Sequence, residues 1–327
     1  MNNPYKQGVR YGACAVALAF ASINSAAAAE PFPSRPIRVV VNTAPGGLTD
    51  VTTRLVAQKM GEHLKQTVVV ENRAGGDGLI GIRSVKTAPP DGYTILATAG
   101  TIAIQPAIKD DAGYDVAKDF SGIGLIGRSP FLMVVAGDSN DKSMAQLLAR
   151  AKTNPNKLSY ASAGVGTAPH LAAAQFFQQA GVQLLHVPYK GNGPAMADVM
   201  SGRVDLILEA YGSSSAKVKA GQLRALGVTS SSRFASLPDV PTFAEQGAPN
   251  YSYYTWLCLV APAGTPKDAI DRLSESLRAS LASPEIEARF REDGLETNVM
   301  SPTQFNTYLV DEVAKAKAMV GSLGLAK

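Results

Sequence analysis

The tightest constraint on this chain is one local pattern used repeatedly: a short β-branched run, a turn of small residues, then a stretch with helical spacing. Ile37, Val39, Val40 and Val41 form the first run, Pro45-Gly46-Gly47 makes the turn, and Val51, Leu55, Val56, Met60 and Leu64 recur at near-helical spacing over 49–65. The same order predicts strands over 67–71, 93–97, 158–161, 184–187 and 204–208, with helices beginning near Gly78 and covering 169–179 and 194–200. Pro90-Asp91-Gly92 announces the strand at 93. Alternation of this kind implies an α/β fold, parallel sheets with helices on both faces. The C-terminal part reads as helical. Ile270, Leu273, Leu277 and Leu281 form one stripe after Thr265-Pro266, and Ser283-Pro284 restarts the helix. Ser301 to Gln304 reads as a capping box ahead of a Phe305, Leu309, Val313 ladder. There is no solenoid-spaced repeat and no low-complexity linker. Two domains without a linker imply that the chain crosses between them more than once, near Gly127 and Gly227.

The N-terminus belongs to a different problem. Lys6 and Arg10 precede an apolar, Ala-rich run over 11–23, and Ala27-Ala28-Ala29 offers a small-x-small cleavage pattern before Glu30. This is the pattern of a secretory signal peptide cut after Ala29. A membrane anchor needs about 20 apolar residues, and the run is too short. A lipoprotein at Cys14 would want a Leu-type residue where Tyr11 stands. Removing 1–29 takes Lys6 and Arg10, so 31 basic residues become 29 against 27 acidic ones and net charge falls from +4 to +2. That balance leaves no basic patch for nucleic acid. Cys258 becomes the sole cysteine, in an apolar strand-like setting that suits a buried structural thiol, and no internal disulfide can form. With only His63, His170 and His186 available, a histidine-built metal site is not expected, nor is a cofactor.

Three segments repeat a strand, a small-residue turn and a helix start: 41–50, running Val-Asn-Thr-Ala-Pro-Gly46-Gly47-Leu48-Thr-Asp50; 161–170, running Ala-Ser162-Ala163-Gly-Val-Gly166-Thr167-Ala-Pro-His170; and 188–194, containing Tyr189. Glycine permits close backbone approach, and the first N–H groups of a helix have no partner inside it, so such turns suit a carboxylate or phosphate. Asp50 reads first as a cap for its helix and second as a ligand contact. The run Gly76-Asp77-Gly78-Leu79-Ile80-Gly81 matches G-x-G-x-x-G, but 99–109 lacks the acidic residue that a dinucleotide site requires until Lys109 closes the window. Nucleophilic chemistry has few parts: no G-x-S-x-G elbow, no paired carboxylates, and a Ser139-to-Lys142 S-x-x-K match without its companion motifs. His170 behind Ser162 is the one histidine in a plausible site. It reads more simply as a residue that orients the loop than as the base of an exported hydrolase.

In this order the motifs resemble the periplasmic solute-binding proteins of tripartite tricarboxylate transporters, the Bug proteins. The carriers are Ala44-Pro45-Gly46-Gly47 with Asp50, 70–75 (Val-Glu-Asn-Arg-Ala-Gly), 90–94, Tyr189-Lys190-Gly191 with Pro194-Ala195, 237–242, Trp256 and 261–266. The resemblance implies a two-lobed, type II-like periplasmic binding protein, each lobe a mostly parallel sheet flanked by helices, closing on a small carboxylate between the lobes. It implies lobe 1 over 30–127 plus 228–327, lobe 2 over 128–227, a periplasmic location, a monomer, no enzyme activity, and membrane transporter subunits as partners. One ligand carboxylate would be held by 46–50 and 162–170, partly through water. Ligand identity would be set by 98–101 (with Thr98), 128–131, Tyr189 and 209–213.

Departures from the family pattern shape the ligand expectation. Glu209-Ala210 and Tyr211 stand where Asp-Asn is common, Phe131 where Asn is frequent, and Arg128 at a position usually small or uncharged. Arginine suits bidentate carboxylate contact and aromatic faces suit a flat ring. The expectation is a dicarboxylate, an aromatic one such as a phthalate isomer ahead of a C4 or citrate-type acid. Glu209 pulls the other way, toward a ligand with an amino or hydroxyl group. A ligand-sensing subunit for a membrane receptor would use the same liganded form and stays open as a role.

Overall fold

The structure is a computed structural model that describes residues 31–325, so the signal peptide expected over 1–29 lies outside the described residues. The strand–turn–helix units form in the expected order: β1 (Ile37–Val41), α1 (Leu48–Leu64), β2 (Val68–Asn72), α2 (Leu79–Lys86), β3 (Thr94–Ala99) and α3 (Thr101–Ile108). A short α4 (Val116–Asp119) leads into the long β4 (Phe120–Ala136) and α5 (Met144–Thr153). A second set of units follows: β5 (Ser159–Ser162), α6 (Ala168–Gln179), β6 (Leu185–Pro188), α7 (Asn192–Met200), β7 (Leu206–Ala210), α8 (Tyr211–Lys219) and β8 (Leu223–Val228). The chain ends with β9 (Tyr254–Pro262), α9 (Lys267–Leu281), α10 (Pro284–Glu292) and α11 (Pro302–Ser322).

The strands lie in the order β2-β1-β3-β9-β4-β7-β5-β6, with β8 also on β4. The two outer triplets, β2-β1-β3 and β7-β5-β6, are parallel, as alternating units require. The centre is not: β9 is antiparallel to β3 and β4, and β4 is antiparallel to β7 and β8. The mostly parallel sheet expected for each half is therefore a mixed one. β4 changes partners within its length, since Phe120 to Pro130 run beside β9 and Phe131 to Val135 beside β7.

The sequence pattern did not place β4 because Gly122, Gly124, Gly127 and Pro130 interrupt its β-branched character. Those glycines have a packing cause. A Cβ at Gly122 would lie 2.6 Å from the Phe305 ring, and one at Gly124 would lie 2.9 Å from Leu277, so bare backbone lets α11 and α9 sit directly on the strand. The stripe Ile270, Leu273, Leu277, Leu281 is buried against this core, as are Phe305 and Leu309, with Val313 partly buried beside them. Each such side chain contributes about 1.5–3 kcal/mol by leaving water. Ser301 and Gln304 form the reciprocal capping box at the head of α11. Cys258 is fully buried on β9, and that burial pushes its thiol well above the ordinary range.

The contact between Gly122 and α11 gives a direct test. Gly122→Ala should destabilise the protein by about 1–3 kcal/mol through overpacking against Phe305, read as a lower urea midpoint. An unchanged midpoint would show that α11 is free to move off the strand.

Candidate ligand-binding cleft

Helices that follow parallel strands begin at the strands' carboxyl ends, so the two outer triplets aim their helix starts at a common gap. A cavity of about 60 Å³ lies there. Its wall includes Leu48 and Thr49 of α1, Thr101 of α3, Ala168 and Pro169 of α6, Asn192 of α7, and Ala210, which precedes α8. None of these five helices has a side-chain cap at its N-terminus. Uncapped N–H groups and the positive dipole ends point to an anion. Among the described residues, no charged side chain lines this cavity. At about 30 Å³ per water, its share of the liquid, the cavity has room for roughly two waters, about the footprint of one carboxylate group.

The first turn is braced from behind. Asp50 is buried; its carboxylate accepts the Gly46 N–H at 2.9 Å, Asn72 Nδ2 at 2.9 Å and Arg54 Nε at 3.0 Å. Burial works against the ionised form, but the Gly46, Asn72 and Arg54 hydrogen bonds outweigh it and hold the carboxyl below its ordinary value. Asn72 Nδ2 also donates to the Thr43 carbonyl. Asp50 thus shapes the loop, while Gly47 and Leu48 reach the cavity.

The second turn is built on two stacked imidazoles. His170 Nδ1 accepts the Gly166 N–H at 3.1 Å, and the His170 ring lies 4.0 Å from that of His186. His186 Nε2 is 2.7 Å from Ser162 Oγ, which also accepts the Gly164 N–H. Burial pulls His170 down to about 4, and burial with the neighbouring His170 pulls His186 to about 3. The Ser162–His170 pair considered for a hydrolase is not formed: the serine bonds the other histidine, is fully buried, and His170 orients Gly166. From this turn Ala163 and Thr167 line the cavity, while Ser162, Gly166 and His170 support them.

The remaining predicted residues divide. Phe131 lines the cavity and Tyr189 lines an adjoining one. Thr98 is buried on β3 outside both linings. Arg128 points outward: it pairs with Glu296 at 2.7 Å, lies 4.6 Å above the Tyr254 ring, and its side chain is 52% exposed. Tyr211 is turned into the core against Phe234, 4.2 Å between rings, with its hydroxyl on Ser236. Glu209 is fully buried behind the wall, where Oε1 accepts from Asn192 and Ser213 and Oε2 has no partner. Burial pushes it up to about 7, against the hydrogen bonds from Ser213, Ala210 and Asn192. Thr101, from the 98–101 stretch, does line the cavity, whereas sequence reasoning missed Thr43, Asn192 and Thr255 as wall residues. Asn192 was legible, since it sits in the third small-residue turn, whereas nothing local marks Thr255 on β9.

Helix starts converging on an uncharged cavity between two sheet halves are the arrangement of a protein that binds a small solute, and the family match assigns the class. Residues 52–325 match the tripartite tricarboxylate transporter family receptor (TctC), and the chain belongs to that family. It is 41% identical over 269 residues to the UPF0065 protein in the tcbD-tcbE intergenic region of Pseudomonas sp. (strain P51), covering 82% of this chain and 80% of that one. It superposes on periplasmic binding protein BugD with TM-score 0.87 at 35% identity, over 90% of this chain and all of that one (100%). It superposes equally on R. palustris Rpa4515 with adipate, TM-score 0.87 at 33% identity, over 90% of this chain and 99% of that one. The family and the neighbours establish the α/β periplasmic binding protein fold.

The histidine stack has a pH signature. Unfolded imidazoles protonate near 6.5, whereas the folded pair stays neutral to about 4 and 3. The unfolded chain therefore takes up protons first as pH falls, so this contribution is complete above pH 6.5 and is lost between 6.5 and 3. The double variant His170→Asn, His186→Gln should show a smaller drop in urea midpoint between pH 7 and 4.5 than the parent. An equal drop would assign the acid sensitivity elsewhere.

Proposed function

We propose that the protein is exported to the periplasm, captures a small dicarboxylate in the cleft and delivers it to the membrane subunits of a tripartite tricarboxylate transporter. The lobes that close on it are 30–127 with 228–327, and 128–227. The observation that carries this reading is the set of five uncapped helix starts around one cavity with no charged side chain. Such a site binds an anion by fixed N–H groups and dipoles. Membership in the transporter-receptor family supplies the transport role, and the adipate in Rpa4515 supports a dicarboxylate. The signal pattern at 1–29 supports export.

A linear aliphatic dicarboxylate is favoured. The ring-and-arginine argument for an aromatic one loses two of its three parts, since Tyr211 is packed on Phe234 and Arg128 is held by Glu296. Phe131 in the cavity wall is what still favours a phthalate isomer as the second reading.

Thermal and urea unfolding of the mature protein with aliphatic and aromatic mono-, di- and tricarboxylates tests the proposal. A ligand at 100 times its dissociation constant should add about 2.7 kcal/mol of stability, with linear dicarboxylates ahead of terephthalate. If no carboxylate stabilises the protein, the reading fails. Arg128→Ala should leave dicarboxylate affinity within about twofold of the parent, because an exposed ion pair contributes little; a large, dicarboxylate-specific loss would return Arg128 to the site.

A further inference from the structure

A second cavity, of about 170 Å³, adjoins the first and shares Thr43, Thr101, Ala163 and Thr167 with it. Asn42, the residue after β1, is part of its lining and is 1% exposed. Among the described residues, neither Asn42 Nδ2 nor Oδ1 has a hydrogen-bond partner, and the Thr43 hydroxyl beside it has none either. Buried polar atoms are nearly always paired, and those that are not mark a site that something else completes. Asn42 has little freedom to turn toward other partners. A Cβ at Gly78 would lie 2.6 Å from its Nδ2, and one at Gly81 would lie 2.7 Å from its Cα. These are glycines of the G-x-G-x-x-G run, and their role is this close approach.

The electrostatics of the second cavity suit an anion. Gly78 precedes α2 at the N-cap position, and no side chain caps that helix start. Lys190 lines the cavity from the other half of the sheet and has no ion-pair partner among the described residues. Asp77, also in the lining, is already paired with Lys109 at 2.8 Å. The alternatives for a second negative group are poor: Arg128 is engaged outside the cleft, and Glu209 places a buried acid behind the opposite wall.

We propose that the Asn42–Lys190 cavity is the subsite for the ligand's second carboxylate, so that an extended dicarboxylate lies across both cavities past Thr43 and Thr101. This rests on the dicarboxylate reading above. The first carboxylate takes the helix starts around Leu48 and Ala168; the second takes Asn42 Nδ2 and the Lys190 ammonium. Because Asn42 and Lys190 come from opposite halves of the sheet, the second carboxylate ties the halves together, and a monocarboxylate does not.

Isothermal titration of the mature protein with succinate, glutarate, adipate and pimelate, each paired with the monoacid of equal length, tests this. Asn42→Ala and Lys190→Met should each weaken the best dicarboxylate by about tenfold or more, as loss of a hydrogen bond to a charged group does, and change its monoacid less than about twofold. Asn42→Ala removes no hydrogen bond within the protein, and its melting temperature without ligand checks that the fold is kept; Lys190 is exposed and serves as the independent variant. Equal losses for diacid and monoacid, or no loss in either variant, would overturn the subsite. Failure of every diacid to bind the unmodified protein is a separate outcome: it removes the dicarboxylate reading itself, and the subsite with it.

Discussion

The cleft depends on one strand changing partners. β4 is antiparallel to β9 as far as Pro130 and to β7 from Phe131 onward, so a single extended segment belongs to both halves of the sheet. Pro130 brings no N–H to the ladder at the exchange. The next N–H, that of Phe131, donates instead to Thr229 Oγ1 at 2.8 Å, and that hydroxyl donates to the Tyr253 carbonyl at 2.6 Å. The polar groups at the crossing are thereby satisfied away from the cavity, and Phe131 is left to face it. On either side of the exchange a parallel triplet ends, and its helices begin at the gap. The candidate anion site is a consequence of topology before it is a consequence of side chains.

That origin explains how a charge-poor cleft can hold a charged ligand. A buried lysine or arginine facing the cavity would need a partner whenever the cleft is empty, because an unpaired buried charge is costly. Backbone N–H groups carry no net charge and keep their orientation through the helix that follows them, so they are already in place when the anion arrives. Two charged groups close to the first cavity are kept one layer back. Asp50 braces the first turn through Gly46, and Glu209 sits fully buried behind Asn192. Burial keeps Glu209 near 7 and so limits the negative charge that it presents to an incoming carboxylate.

Much of this was legible in residue order, and the unread part has a physical cause. Small-residue turns between β-branched runs and helical stripes located β1, α1, β5 and α6, because those signals are local. The turns 46–50 and 162–170 indeed supply Gly47, Leu48, Ala163 and Thr167 to the wall. β4 was not legible, since its glycines answer to Phe305 and Leu277, which lie about 150 or more residues further along the chain. Side-chain direction was not legible either. Arg128 and Tyr211 have the right chemistry for an aromatic diacid, but Glu296 and Phe234 take them elsewhere, and only the fold decides which neighbour wins. His186 carried no motif; it matters because β6 pairs in register with β5 and sets it beside Ser162.

If the lobes close on the ligand as proposed, the features that suit the cleft to an anion would also disfavour closure without one. A missing side-chain cap costs a helix about 1 kcal/mol, and five such ends meet at one cavity. Each buried polar group without a partner adds roughly 1–3 kcal/mol, and Asn42, Thr43 and Asn192 all contribute such atoms around the two cavities. Opening would expose these groups to water and remove most of the penalty. The proposed dianion would pair the donors among them with the cleft shut, namely the helix N–H groups, Asn42 Nδ2 and the Thr43 hydroxyl, but not the amide oxygens of Asn42 and Asn192. With a whole domain stable by only about 5–15 kcal/mol, a difference of several kcal/mol between empty-closed and liganded-closed forms would be enough to make closure report occupancy, which is the property that the proposed transport role requires.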